Sequence, residues 1–150
     1  MQIRPLLPGD ALEAPSKLFD AYRQFYGYAS DLGAARIYLH MRLQSEQAKV
    51  FIAELAGKPV GFMLLYPSFC SLALAPIWVL NDLYVAPEAR GTGVADALLQ
   101  TARQLGLDSG AAYLMLSTAH DNQRAQAVYT RQGWQLDQVY RYYTLPLHSE

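Results

Sequence analysis

From Pro59 to Asn81 the chain runs for 23 residues without a formal charge. That is long enough for a bilayer-crossing helix, which needs about 20 apolar residues. The residues inside the run point elsewhere. Pro59, Pro67, Ser68, Ser71 and Pro76 punctuate it, and Gly61 and Tyr66 weaken it further. Proline lacks an amide hydrogen and breaks a helix interior, so two buried strands joined by a loop suit the stretch better. The chain is therefore expected to be soluble, with no membrane contact.

The periodicities on either side of this run predict a mixture of strands and helices. A strand over Gln2–Leu6 ends at Pro8-Gly9, a turn signal. Leu12, Leu18, Phe19, Tyr22, Phe25 and Tyr26 recur at three- and four-residue spacings, predicting a helix from Asp10 to about Phe25. That spacing assigns Tyr22, Phe25 and Tyr26 to the core. Ser30 or Asp31 caps a second helix to about Arg42, with Ile37, Met41 and Leu39 turned inward. Lys49–Leu55 and Pro59–Tyr66 read as a hairpin. Ile77–Val85 follows as a nearly continuous apolar strand, the pattern of burial on both faces, with Asn81 and Asp82 as its anomaly. Val94, Leu98, Ala102 and Leu105 then form one stripe of a helix. Tyr113–Ser117 is a buried strand, and Asn122–Gln132 a short helix stopped by Gly133. Trp134–Leu147 alternates as a final strand or strand pair. No repeat or linker divides the chain, so residues 1–150 are expected to form one domain. Antiparallel strands followed by a βαβ unit imply an α/β (α+β) fold on a mixed sheet.

Charge and cysteine content narrow the function. Twelve Lys and Arg against thirteen Asp and Glu leave a net charge of −1. A broad polycationic surface is excluded, and no nucleic-acid partner is expected. Cys70 is the single cysteine, so no intrachain disulfide forms, as expected of a reducing cytoplasm. The amino terminus lacks the charged and apolar regions of a secretory leader. His40, His120 and His148 are scattered without ligand spacing, so no metal site is expected.

Two segments carry chemistry. Arg90-Gly91-Thr92-Gly93-Val94-Ala95 lies between the buried strand and an apolar helix. Glycines there let a ligand approach the backbone, and the helix's first free amides carry partial positive charge, which suits phosphate. A Walker loop would need Gly-Lys-Ser/Thr, and a dinucleotide fingerprint would need glycine where Asp96 stands. On loop chemistry alone, a phosphate site and a simple tight connection both remain open. The second segment is Asn122-Gln-Arg-Ala125-Gln-Ala-Val-Tyr129-Thr-Arg-Gln-Gly133-Trp134. Taken by itself, Tyr129 on the Ala125/Val128 face reads as a core residue with a satisfied hydroxyl, and Asn122 as a helix cap.

With these segments the chain resembles the Gcn5-related N-acetyltransferase (GNAT) family. Arg90, Gly93 and Ala95 match its Arg/Gln-x-x-Gly-x-Gly/Ala loop. Asn122, Ala125, Tyr129, Gly133 and Trp134 match its Asn-x-x-Ala-x-x-x-Tyr-x-x-x-Gly-aromatic helix. The resemblance implies a mostly antiparallel sheet of six or seven strands, a central parallel βαβ unit and about four helices. It implies acetyl-coenzyme A as acetyl donor, with no metal. Backbone amides of Gly91, Thr92, Gly93, Val94, Ala95 and Asp96 would hold the pyrophosphate, and Leu83, Tyr84 and Val85 would pair with the pantetheine arm. Asn122 would contact the coenzyme near its helix start. Tyr129 would protonate the departing thiolate as general acid. The amine attacks the thioester directly, so Cys70 is expected to be a small apolar side chain, not a nucleophile.

An attacking amine must first be neutral. An ionised Asp82 inside a buried strand costs several kcal/mol unless paired, so it is a candidate to hold a cationic amine or to take its proton through water. An Asp bonded to loop amides at a bulge is the equal alternative. Asn81, Tyr26 and Tyr28 are further acceptor-site candidates, since aromatic faces near carboxylates suit an ammonium group. The AYRQFY, NDLYV and AQAVY segments are similar to the histone/polyamine branch, which includes diamine and D-amino-acid acetyltransferases. A small amine or amino acid is the expected acceptor. A protein lysine or N-terminus is the runner-up, and a non-catalytic acyl-coenzyme A sensor the reading from another class. The C-terminal VYRYYTLPL segment is expected to pair across a homodimer, because an exposed strand edge needs cover.

Overall fold

The uncharged run folds as a hairpin. In this computed structural model, which describes residues 1–148, β3 (Lys58–Cys70) turns through residues 71–74 into β4 (Ala75–Val85) and pairs with it antiparallel. Ahead of them come β1 (Gln2–Leu6), α1 (Glu13–Phe25), α2 (Leu32–Gln44) and β2 (Lys49–Leu55). After them come a short 3-10 turn at Pro87–Ala89, then α3 (Val94–Asp108), β5 (Leu114–Met115) and α4 (Gln123–Arg131). The strands lie in one sheet in chain order, antiparallel except for β4 and β5, which run parallel and are joined through α3. This is the mixed α/β architecture that the element order implies. No helix among the described residues is long and apolar enough to cross a membrane.

The chain divides into two compact units. Met1–Thr118 contains the whole sheet and α1 to α3, and the residues from Ala119 onward contain α4. In the first unit, strand alternation sends Phe62 and Leu64 to the face covered by α1 and α2, where they join Phe19, Leu39, Leu43 and Ile52. Met63 and Leu65 alternate to the face packed by α3, with Val94, Leu98, Leu99 and Ala102 all buried. Each of the larger side chains here contributes roughly 1.5–3 kcal/mol by leaving water.

Helix α2 buries a different face from the expected one. Ala35, Leu39 and Leu43, spaced by four, are buried, whereas Ile37 and Met41 remain 61% and 50% exposed. Two residues' offset is about 200° around a helix, so a stripe through Leu39 necessarily turns Ile37 and Met41 outward. Helix α1 likewise buries Phe19 and half-buries Tyr22, but its last turn leaves Phe25 and Tyr26 exposed. There Tyr26 stacks edge-on against Tyr22, and Phe25 against Tyr26, at centroid distances of 5.1 and 5.3 Å. The loop between the helices is tied by buried Asp20. Its carboxylate accepts the Ser30 hydroxyl at 2.7 Å, the Asp31 amide at 2.8 Å and the Gln24 amide group at 3.1 Å. The Ser30 and Asp31 bonds hold the Asp20 carboxyl below its ordinary range. Asp31, of the two candidates, caps α2 by accepting the Ala34 amide at 3.1 Å.

The strand count departs from the expected six or seven: five strands occur among the described residues, and Trp134–Leu147 forms none of them. Asp137 gives the physical reason. Its Oδ1 accepts the amides of Val139 at 2.8 Å and Tyr140 at 3.0 Å, a turn that competes with an extended ladder. Apolar side chains on both sides of the alternation are exposed, Leu136 at 86% and Tyr143 at 90%. The edge strand on which the expected homodimer pairing of VYRYYTLPL relied is therefore absent among the described residues.

Gly61 fixes how closely β4 and α3 approach. A Cβ there would lie 2.9 Å from the Tyr84 carbonyl oxygen and 3.2 Å from Val94 Cγ1. Gly61→Ala should therefore destabilise the protein by about 1–3 kcal/mol, read as a lower urea midpoint. A wild-type midpoint would show that the two elements part without cost.

Candidate active site

The site begins with a fault in the β3–β4 ladder. Leu64 pairs with Asp82 and Leu65 with Leu80, so Asn81 has no partner and β4 carries a bulge. In a regular strand Leu80 and Asp82 would share a face. With one extra residue between them, Leu80 stays in phase with Leu65, while Asp82 and Tyr84 come into phase with Leu64 and Phe62, toward α1 and α2. The pairing with β5 lies before this bulge, at Trp78 and Val79. Leu83, Tyr84 and Val85 thus form the end of β4 that β5 does not cover.

Asp82 is 7% exposed. Both of its carboxylate oxygens accept from Asn81 Nδ2 at 3.1 Å, and the Tyr22 hydroxyl of α1 donates to it as well. Burial pushes the Asp82 carboxyl above its ordinary value, with the Asn81 and Tyr22 bonds acting in the opposite sense. The Tyr22 ring is held edge-on against Phe62 at 5.5 Å and against Tyr84 at 6.1 Å. Beyond it lies a second phenol pair, in which the hydroxyls of Tyr38 and Tyr66 hydrogen-bond. Burial first, then the Tyr38 bond, drives the Tyr66 hydroxyl far above its ordinary value, and the Asp82 charge adds to this. Of the expected acceptor residues, Asn81 and Tyr26 adjoin this group. Tyr28 lies beneath the guanidinium of Arg23, the residue next to Tyr22, at 5.0 Å from its ring centroid. Tyr22 is the member that sequence reasoning assigned to the core alone. It packs as a core residue, and its hydroxyl is also on the carboxylate.

The glycine segment follows the open end of β4. Gly91 and Gly93 have φ of 78° and 87°, and Gly93 caps α3 in the left-handed conformation. The backbone at Gly91 is open, with nothing within 4 Å of a would-be Cβ, and at Gly93 only Met1 Cε comes within that distance, at 3.9 Å. Val94, Ala95 and Asp96 open the helix, at the end where its amides carry partial positive charge. Thr92 donates its hydroxyl to the Ala89 carbonyl, steadying the turn before it. Arg90 points back along β4. Its Nε donates to the Val85 carbonyl at 3.0 Å, and its guanidinium lies 5.8 Å from the ring centroids of both Phe25 and Tyr84.

Asn122 and Tyr129 belong to the second unit. Asn122 caps α4 by accepting the Ala125 amide at 3.2 Å. Tyr129 is half-buried one turn beyond Ala125, with its ring 6.2 Å from that of Trp134.

The acetyltransferase (GNAT) family model matches residues 16–134. An uncharacterized N-acetyltransferase of Bacillus subtilis (strain 168), YhfO, is 39% identical over 145 residues, covering 97% of each chain. Bovine (Bos taurus) thialysine N-epsilon-acetyltransferase is 34% identical over 76 residues, 51% of this chain and 44% of that protein. The crystal structure of a probable acetyltransferase superposes with a TM-score of 0.94 at 40% identity, covering 100% of both chains.

The raised Asp82 carboxyl has a measurable consequence. A group whose folded pKa exceeds its unfolded value of about 3.8 favours folding most when protonated, and that contribution is lost as pH rises through the folded value. Asp82→Asn keeps acceptor and shape without the charge. It should raise stability at pH 7 by about 1 kcal/mol, roughly 2–4 °C in Tm. The two proteins should converge below the ordinary carboxylate pKa. A variant less stable than wild type at pH 7 would mean the buried charge is fully compensated.

Proposed function

The chain belongs to the acetyltransferase (GNAT) family and is an acetyltransferase, and from that premise we propose that it uses acetyl-coenzyme A to acetylate a primary amine of a small molecule, a polyamine, diamine or amino acid. The observation that carries this reading is the open, glycine-lined start of α3 set against the uncovered end of β4, with Gly61 holding the two in contact. Helix-start amides, at the positive end of the helix dipole, suit a pyrophosphate, and an uncovered strand end suits an extended amide-bearing arm. Bound acetyl-coenzyme A supplies the activated acetyl thioester.

The chain's own residues then divide the work. The amides of Gly91 to Asp96 bind the pyrophosphate, and Leu83 to Val85 align the pantetheine arm by backbone hydrogen bonds. Asp82 and Asn81, with Tyr26 against the Tyr22 ring, receive the acceptor amine, and the Asp82 carboxylate takes its proton. Tyr129 protonates the leaving thiolate, and Asn122 contacts the coenzyme while capping α4. The acceptor class rests on the chemistry around Asp82, where a buried carboxylate among aromatic rings favours a cationic amine. The bovine relative is named for acetylating thialysine, an amino acid, and that class agrees with this reading.

Two measurements test it. At a hundredfold excess over its dissociation constant, acetyl-coenzyme A should stabilise the fold by about 2.7 kcal/mol, a rise of roughly 5–10 °C in Tm. Absence of a shift at millimolar concentration would overturn the donor assignment. Tyr129→Phe should lower turnover by about tenfold to a hundredfold while coenzyme binding is retained. Undiminished turnover with the best small amine would remove Tyr129 from the reaction.

A further inference from the structure

We propose that Tyr22 is a positioning residue for the reaction: its hydroxyl, presented from α1, holds the Asp82 carboxylate at the β4 bulge in its proton-accepting state. The inference rests on the reading of Asp82 as the acceptor of the amine's proton.

The geometry gives Tyr22 little freedom to do otherwise. Its ring is wedged among Phe62, Tyr84 and Tyr26, with centroids 5.5, 6.1 and 5.1 Å away. A phenol has two side-chain torsions, and packing on three sides fixes both, so the hydroxyl reaches the carboxylate without further loss of rotamer entropy. Asn81, by contrast, is exposed and lies on the unpaired residue of the bulge. Its amide group bonds both oxygens, yet its backbone lacks the ladder that would hold it still. Helix α1 therefore supplies the packed donor and the bulge the exposed one.

The groups around the carboxylate support the assignment. From β3 comes Tyr66, whose hydroxyl is engaged with Tyr38 of α2, and Arg42 of α2 lies over the Tyr38 ring at 4.8 Å. From β4 itself come Asn81 and Tyr84, and Arg90 stacks over the Tyr84 ring. Neither arginine forms an ion pair with Asp82 in the structure. Neutral donors thus hold the carboxylate, leaving its charge available to an incoming ammonium group. A donor bonded to the ionised form favours that form, and its loss favours protonation.

The test uses Tyr22→Phe, which keeps the ring and removes only the hydroxyl. In protein labelled with carboxyl-13C aspartate, the Asp82 signal is identified by its loss in Asp82→Asn and titrated in wild type and Tyr22→Phe. The expected midpoint in Tyr22→Phe is higher by about one pH unit, the shift that loss of one hydrogen bond to a charged group produces. An unmoved midpoint overturns the proposal. The second readout is the pH profile of turnover with acetyl-coenzyme A and 1,4-diaminobutane, lysine or thialysine, whichever releases thiol fastest. The acid limb should move upward with the carboxyl, lowering the rate about tenfold one pH unit below the wild-type midpoint. At high pH it should recover to within about twofold. An equal loss at every pH overturns positioning through Asp82 and leaves Tyr22 a structural residue. Asp82→Asn separates the two levels. If that variant turns over at the wild-type rate, the reading of Asp82 falls and the role of Tyr22 with it. If it is inactive while Tyr22→Phe matches wild type in both readouts, only the role of Tyr22 falls.

Discussion

One unpaired residue organises the first unit. Without the bulge at Asn81, Leu80 and Asp82 would point to the same side of β4, and one of the two faces would take the wrong side chain. The extra residue lets Leu80 complete the apolar layer beneath α3 while Asp82 and Tyr84 turn toward α1. It also marks where β5 stops covering β4. The inward turn of the carboxylate and the phasing of the core's two faces therefore share a cause. The local cost is one interrupted rung of the ladder, small beside the apolar burial it keeps in phase on both sides.

The aromatic cluster above the bulge combines packing with polarity. Phe19, Tyr22, Phe62 and Tyr84 form a chain of edge-on and tilted contacts, with centroids between 5.5 and 6.4 Å. Pairs of this kind are worth roughly 0.5–1.5 kcal/mol beyond their area, and the tyrosines add hydroxyls that a phenylalanine cluster would lack. The Tyr22 hydroxyl does what Leu or Phe could not: it donates to a carboxylate inside the layer. Arg90 extends the arrangement outward, bridging Phe25 of α1 and Tyr84 of β4 while bonded to the Val85 carbonyl.

Much of the fold was legible because burial writes itself into period. The strands and helices of residues 1–110 follow from apolar spacing, and the glycine segment is marked by residues that tolerate positive φ. The failures have physical reasons. In α2, the large apolar Ile37 and Met41 share one face, while Leu39 lies on the opposite one, where Ala35, a small residue of little apolar weight, and Leu43 complete the buried stripe. In the tail, alternation at Trp134–Leu147 suggests a strand, but alternation records only a tendency, and Asp137 takes up the local amides instead. Asp82 was legible as an anomaly, a charge in an apolar run, although the bulge that explains it leaves no mark of its own except the neighbouring Asn81. Tyr22 was legible only as a core residue, because spacing reports where a ring lies and not what its hydroxyl touches.

Asp82 is where stability and chemistry part. A side chain opposite Leu64, facing Phe62 and the helices, would stabilise the fold most as Leu or Val. A carboxylate there loses hydration, and the bonds from Asn81 and Tyr22 offset that loss only in part, since the carboxyl remains raised. A third interaction with a cation would complete the balance, and the stabilised species would be the ionised carboxylate beside an ammonium group. Proton transfer from that ammonium discharges both partners together, so the same desolvation that opposes an isolated Asp82 charge favours the neutral pair of acid and amine. In the proposed reaction, burial of Asp82 thus acts on the step that matters, the release of a neutral amine within a poorly hydrated layer.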